Sequence, residues 1–316
     1  MFNGRAKSNY KSQFHRVNAL RAVLIFLAIA LVVGIPLFFI GGVQNRKSIE
    51  RGQLIDAWEA EEYDLAYSSS RAALETRPLD YFLLTINGFS AFQLGISQIN
   101  TTDKLEYIEQ CITSLRKAIL QKEAASDKNI GVVFYVLGKA YYEKGEDDTY
   151  LAITYLEKAC ELSYDAADIP EYLGLAYART GDYRSSVEAF SRALTRSDAD
   201  PSDLLLLSIA HSYSELNEPE TARAYLMRCI EISRDIKKVT GARLLLGEVF
   251  VQMGDFDAAQ AEYQAILDST GDNAEAYYQL GELYKQRGDN TQARAYWRLS
   301  LRADPAYQKA RARLSQ

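Results

Sequence analysis

Histidine occurs twice and cysteine three times in this 316-residue sequence, and that scarcity removes several kinds of chemistry at the outset. His15 and His211 are too few for a histidine-rich metal centre. Cys111, Cys160 and Cys229 form an odd set without a CxxC pair, so neither a disulfide framework nor a four-cysteine zinc site can be assembled. Six prolines and eighteen glycines exclude collagen-like and proline-rich fibrous classes. No serine or cysteine nucleophile with an orienting acid is legible beside His211, which reads as a surface or groove residue. Gly138-Lys139 resembles the end of a phosphate loop but lacks the upstream glycine at the required spacing. No catalytic residue, cofactor or metal ligand is expected, and the chain reads as a non-enzyme.

What is present is a globular composition, 48% hydrophobic and 25% charged, with an uneven distribution of charge. Residues 1–21 carry five Lys/Arg and no acid, which leaves 31 basic against 42 acidic residues in the remainder. Such an acidic body repels phosphate backbones, so a nucleic-acid partner is not expected. Residues 22–43, AVLIFLAIALVVGIPLFFIGGV, contain no charge and are bracketed by Arg21 and Arg46. As a helix this run would be about 33 Å long, enough for a hydrocarbon core of roughly 30 Å. Its length exceeds that of a cleaved signal peptide's apolar region, so it is expected to be a single transmembrane anchor. The basic flank before it places the N-terminus in the cytoplasm and the body outside. The expected location is therefore the inner (cytoplasmic) membrane, single-pass, with a periplasmic or otherwise extracytoplasmic body.

Beyond the apolar run a fixed-period pattern recurs: Leu137-Gly138-x-x-Tyr141, Leu173-Gly174-x-x-Tyr177, Leu246-Gly247-x-x-Phe250 and Leu280-Gly281-x-x-Tyr284. Four residues after each aromatic stands a glycine (Gly145, Gly181, Gly254, Gly288), followed in three cases by Asp182, Asp255 or Asp289. The pattern resembles the tetratricopeptide repeat (TPR), a helix–turn–helix unit of about 34 residues. It is densest at the end, where Tyr277, Leu280, Gly281, Tyr284, Ala293, Trp297 and Pro305 all match, and only Ser300 stands where the family usually has alanine. Units start near residues 47, 81, 131, 167, 203, 240 and 274. The expected fold is all-α, a TPR-type right-handed superhelix of about seven repeats after one N-terminal transmembrane helix. The expected segments are 1–21 (basic, cytoplasmic), 22–43 (membrane), 44–305 (repeats) and 306–316 (a capping helix). The second unit carries about eleven extra residues around 96–106, read as lying between its two helices. Gly138, Gly174, Gly247 and Gly281, with Ala293, are expected where the helices of a unit pack most closely. The three cysteines fall on second helices and read as buried thiols.

The family resemblance implies a groove along the first helices that binds peptides or helices. Carried over by position, it nominates Phe82, Phe89 and Phe92 in the second unit and Tyr135, Lys139 and Tyr142 in the third. Packing of these side chains within the protein is the competing reading. The ninth positions (Ile55, Phe89, Lys139, Leu175, His211, Glu248, Glu282) hold no asparagine, so the chaperone-type clamp for an acidic C-terminal tail is not expected. The function implied is a membrane-anchored scaffold that holds partner proteins of a membrane-associated complex, as a homo- or hetero-oligomer. Basic N-terminus, single span and divergent array together resemble the flagellar motor collar proteins of bacteria with periplasmic flagella. A chaperone-like accessory factor of protein export and a regulatory subunit of an enzyme are the alternatives.

Overall fold

The computed structural model describes residues 51–121, 126–196 and 201–315. The basic segment and the apolar run of residues 1–43 lie outside the described residues. Among those described there are fifteen α-helices and no strand, and no helix is long and apolar enough to cross a membrane. The chain divides into two compact units at residues 60 and 61. In the first, helix α1 (Arg51–Glu59) buries Leu54 and Ala57.

The second unit is a run of helical hairpins. Helix α2 (Tyr63–Leu74) packs on α3 (Tyr81–Ser97), which pairs with α4 (Thr101–Ile119). The pairs α5 (Ile130–Lys144) with α6 (Thr149–Glu161), and α7 (Ile169–Arg179) with α8 (Tyr183–Arg196), follow. Next come α9 (Asp203–Glu215) with α10 (Pro219–Ile232), and α11 (Ile236–Gln252) with α12 (Phe256–Thr270). The last pair is α13 (Ala274–Gln286) with α14 (Asn290–Ala303), closed by α15 (Gln308–Leu314). Each second helix touches the next hairpin's first helix, and the first helices α3, α5, α7, α9 and α11 also touch in sequence. They thereby form one continuous face.

Local chemistry explains where the helices begin and stop. Gly288 adopts φ 83°, a left-handed conformation that costs glycine no Cβ clash. It lets the Asp289 N–H donate back to the Tyr284 carbonyl at 2.9 Å, while the Asp289 carboxylate accepts from the Gln292 N–H at 2.9 Å. Asp255 does the same between Phe250 and Ala258. In the fifth unit the glycine is replaced by Asn217 at φ 58°, a residue type that tolerates this region, and Pro219 opens the next helix.

Within each hairpin the helices meet at one residue. A Cβ on Gly281 would lie 2.4 Å from Trp297 Cδ1 and 3.1 Å from the Ala293 carbonyl oxygen, and Ala293 itself is fully buried. The same collision would occur between Gly247 and Tyr263 at 2.3 Å, Gly174 and Phe190 at 2.5 Å, and Gly138 and Leu156 at 2.6 Å. Gly88 belongs to this series, with Leu115 at 2.4 Å, although the sequence motif does not reveal it because Asn87 stands in place of the preceding leucine and Ala91 in place of the aromatic. Asn87 is fully buried and bound on all sides. Its amide donates to the Tyr67 carbonyl at 3.3 Å and the Ser70 hydroxyl at 3.1 Å, and its carbonyl accepts from Ser114 at 2.8 Å and Gln110 at 3.4 Å. A polar residue is tolerated there because α2 and α4 satisfy it.

The structure accounts for two irregularities of the repeat and places one cysteine differently from the sequence reading. Residues 96–106 do not form an interhelical insertion. Only residues 98–100 break the helix, and the rest lengthen α3 and α4 to 17 and 19 residues. Gly95, two turns beyond Gly88, keeps the longer pair close, with Ile108 only 3.0 Å from where its Cβ would be. Ser300 occupies its alanine position because its hydroxyl donates to the Ala274 carbonyl at 2.7 Å, as the Cys229 thiol does to Asp203 at 3.2 Å. Cys160, unlike Cys111 and Cys229, is exposed. Gly281→Ala should lower the denaturant midpoint of the full chain by the equivalent of ~1–3 kcal/mol through overpacking against Trp297. Gln286→Ala, on exposed surface, should shift it by less than about 0.5 kcal/mol, and equal shifts would contradict the interlock.

Candidate functional site: an aromatic first-helix face

The richest side-chain cluster forms where α3, α5 and α7 adjoin. Tyr135, Lys139 and Tyr142 stand at i, i+4 and i+7 on α5 and so share one helical face. Lys139 is at the centre. Its ammonium donates to Asp168 Oδ2 at 2.8 Å and lies 3.0 Å from the Tyr135 hydroxyl, which itself donates to the Asp168 carboxylate at 2.8 Å. The same ammonium is 4.6 Å from the Tyr172 ring centroid, 4.9 Å from Tyr135 and 5.6 Å from Phe92, all within cation–π range. Its side chain is only 14% exposed. Burial first, then the hydrogen bond to Asp168, pushes the Tyr135 phenol far above its ordinary range and keeps it protonated as a donor.

Around this centre Tyr142 meets Tyr172 edge to face, with centroids 5.5 Å apart. The Arg179 guanidinium covers the Tyr142 ring at 3.9 Å and donates to the Tyr142 carbonyl at 2.9 Å. Lys104, at the start of α4, pairs with Glu143 at 2.5 Å.

Of the sequence-nominated groove residues, Tyr135, Lys139 and Tyr142 come together as one cluster. Phe82 and Phe89 are half-buried, with Phe89 packed against the α3–α6 core. Phe92 is corrected: at 3% exposure it belongs to that core, because the ordered Lys139 side chain and the adjoining helices cover it. Lys139 likewise spends its charge inside the protein, on Asp168 and the surrounding rings. Asp168, Tyr172 and Arg179, which complete the cluster, were not nominated from the sequence because they come from the following hairpin. His211 is exposed, 4.0 Å from Glu215 and beside the Tyr183 ring. Among the described residues no group of three His, Cys, Asp or Glu side chains could hold a metal ion.

An all-helical array of hairpins interlocked by glycine, with an aromatic first-helix face, defines a class of repeat proteins built for protein contact. Models of the tetratricopeptide repeat match residues 135–203, 205–236 and 244–308, together more than half of the chain. The chain belongs to the tetratricopeptide repeat family. A relative from Arabidopsis thaliana, Protein CTR9 homolog, is 26% identical over 152 residues, and the match spans 48% of this chain but only 14% of that protein. Among solved structures, the C-terminal part of a TPR repeat-containing protein from Cytophaga hutchinsonii superposes with a TM-score of 0.56 at 15% identity. That match covers 83% of this chain and 98% of the other. The Cut9–Hcn1 hetero-tetramer of the APC/C matches with a TM-score of 0.50 at 14% identity, covering 93% of this chain and 51% of the other. At these identities the structural likeness concerns the fold alone.

Caging of Lys139 has a chemical consequence. Limited acetylation followed by peptide mass mapping should find Lys139 modified more slowly than the exposed Lys309. Asp168→Asn, which removes the anion, should speed modification of Lys139 without changing Lys309. Equal rates in the parent protein would mean that the cage is open.

Proposed function

We propose that this protein is a membrane-anchored TPR scaffold that docks partner proteins on its first-helix face and supports assembly of a membrane-associated complex. The observation that carries the reading is the aromatic cluster of Tyr135, Tyr142 and Tyr172, with Phe89 packed against the same core as Tyr135 and Tyr142, on a face continuous across successive hairpins. Aromatic residues in well-packed surroundings commonly dominate interface energy. The anchor rests on the uncharged run of residues 22–43, and the extracytoplasmic placement of the body on the basic residues before it. Within this reading, the periplasmic collar of a flagellar motor is the complex to which the combination of basic N-terminus, single span and divergent repeats points. An accessory role in protein export shares the same anchor, and co-purification from solubilised membranes separates the two. Motor components support the collar and translocon components the export role.

Two measurements test the proposal. Phe89→Ala combined with Tyr142→Ala should weaken capture of the native partner by about thirtyfold, a loss of ~2 kcal/mol. Helix content should be unchanged, and Lys285→Ala, far along the array, should bind normally. A folded double variant that still binds would move docking to another surface, and an unfolded one would make these aromatics core. For topology, Ser8→Cys and Ser269→Cys are introduced singly into a chain lacking the native cysteines. With any outer membrane permeabilised, a membrane-impermeant maleimide should label position 269 and spare position 8 until lysis. The opposite pattern reverses the orientation.

A further inference from the structure

Charge is distributed unevenly along the chain, and the C-terminal end stands apart. Residues 285–316 hold eight Lys/Arg and two Asp/Glu, against 28 basic and 40 acidic residues in the sequence before them. Helix α14 carries Arg294, Arg298 and Arg302 and no acid. Spaced i, i+4 and i+8, the three share one helical face, and at 1.5 Å per residue they form a stripe about 12 Å long. All three are exposed. Arg298 makes no ion pair or hydrogen bond among the described residues, Arg294 reaches the Leu314 carbonyl at 3.4 Å, and Arg302 meets Asp272 at 3.9 Å and acts on the Tyr277 phenol. The opposite sign stands at the start of the same unit. Glu61, Glu62 and Asp64, in the turn before α2 and in its first turn, are exposed, and none makes a side-chain ion pair or hydrogen bond among the described residues. They close a stretch, residues 56–64, that holds five carboxylates and no base. From Glu61 to Asp64 the chain spans at most about 10 Å, a length that matches the arginine stripe.

Four junctions between successive hairpins are stitched by ion pairs: Lys144 to Glu109 at 3.0 Å, Lys139 to Asp168 at 2.8 Å, Lys238 to Asp203 at 2.7 Å and Arg287 to Asp257 at 2.6 Å. The acids at the start of α2 and Arg298 on α14 have no such partner among the described residues. We propose that a second copy of this chain supplies it: Arg294, Arg298 and Arg302 of one copy dock on Glu61, Glu62 and Asp64 of the next, head to tail. Complementary charge on surfaces of matching length carries the inference. A contact of this kind joins two different surfaces, so each added copy leaves one of each sign available, until a ring closes or the row stays open. An anionic lipid surface fits the stripe less well. No large hydrophobic side chain of α13, α14 or α15 is exposed, so the stripe offers nothing to sink between acyl chains. The contact uses neither the first-helix face nor its aromatic cluster, and it stands independently of the docking role assigned to them.

The test is sedimentation velocity of the full chain in a nonionic detergent, over a concentration series at low and high salt. Oligomers should form at low salt and weaken by at least about tenfold near 1 M salt, where the screening length falls to about 3 Å. Reversing the stripe (Arg294→Glu, Arg298→Glu, Arg302→Glu) or the acids (Glu61→Lys, Glu62→Lys, Asp64→Lys) should each weaken association by at least about tenfold. Mixing the two reversed chains, or combining all six changes in one chain, should restore it. Reversing the exposed second-helix residues Glu188, Glu220 and Glu231 to lysine should leave association intact. Circular dichroism checks that each variant folds, and glutamine at the same positions replaces any reversal that unfolds the chain. Four results overturn the proposal: a parent chain that is monomeric at every concentration, association indifferent to both reversals, an equal loss in the second-helix control, or folded reversed chains that do not recover on mixing. Flotation with phosphatidylglycerol or phosphatidylcholine vesicles identifies the rival. If the parent chain is monomeric and stripe reversal alone abolishes its binding to phosphatidylglycerol, the stripe faces lipid and self-docking is rejected.

Discussion

The architecture depends on one steric constraint repeated along the chain: on five of the first helices a glycine meets a bulky side chain on the second. Leu115, Leu156, Phe190, Tyr263 and Trp297 each occupy space that a single methyl group would take from them. The interlock fixes both the separation and the axial register of each hairpin, since interiors this dense do not absorb even a methyl without shifting. In the fifth unit Ala210 replaces the glycine, and Leu226 on the partner helix is buried beside it in the same core. With every hairpin held in one register, neighbouring first helices can stand side by side. Residues about thirty apart in sequence, such as Tyr135 and Asp168, consequently become hydrogen-bonding neighbours.

Charge on that face divides into two regimes. From α4 to α7 the cations Lys104 and Lys139 are each matched to a carboxylate, and Lys139 is further sheltered by three rings. A lysine held in that way braces adjacent hairpins against each other. Further along, Lys238 meets Asp203, and α15 brings Arg313 and Lys309 to Glu282 and Glu275. The final helix thus neutralises the acids of α13, and its Lys309 also acts on Glu248, which accepts a hydrogen bond from Gln279.

The periodic Leu-Gly-x-x-aromatic motif, the turn glycines and their aspartates were sufficient by themselves to determine an all-helical repeat fold. They encode contacts within about 34 residues, and local contacts leave a regular trace. The glycine of the second unit escaped that reading because Asn87 and Ala91 replace the leucine and the aromatic of the motif, and nothing local announces that α2 and α4 will satisfy a buried amide. The eleven extra residues there looked like a loop because length alone does not distinguish an insertion from two longer helices. Tertiary structure alone decided the fate of the nominated groove residues. Phe92, Tyr135 and Lys139 have similar positional credentials, yet one became core, one a hydrogen-bond donor within the protein and one a caged cation. That outcome depends on Asp168 and Tyr172 of the following hairpin, whose arrival is set by the stacking of whole units and not by any spacing within one. The sequence determined the repeat, and the stacking of one repeat on the next decided which of its side chains remain open to a partner.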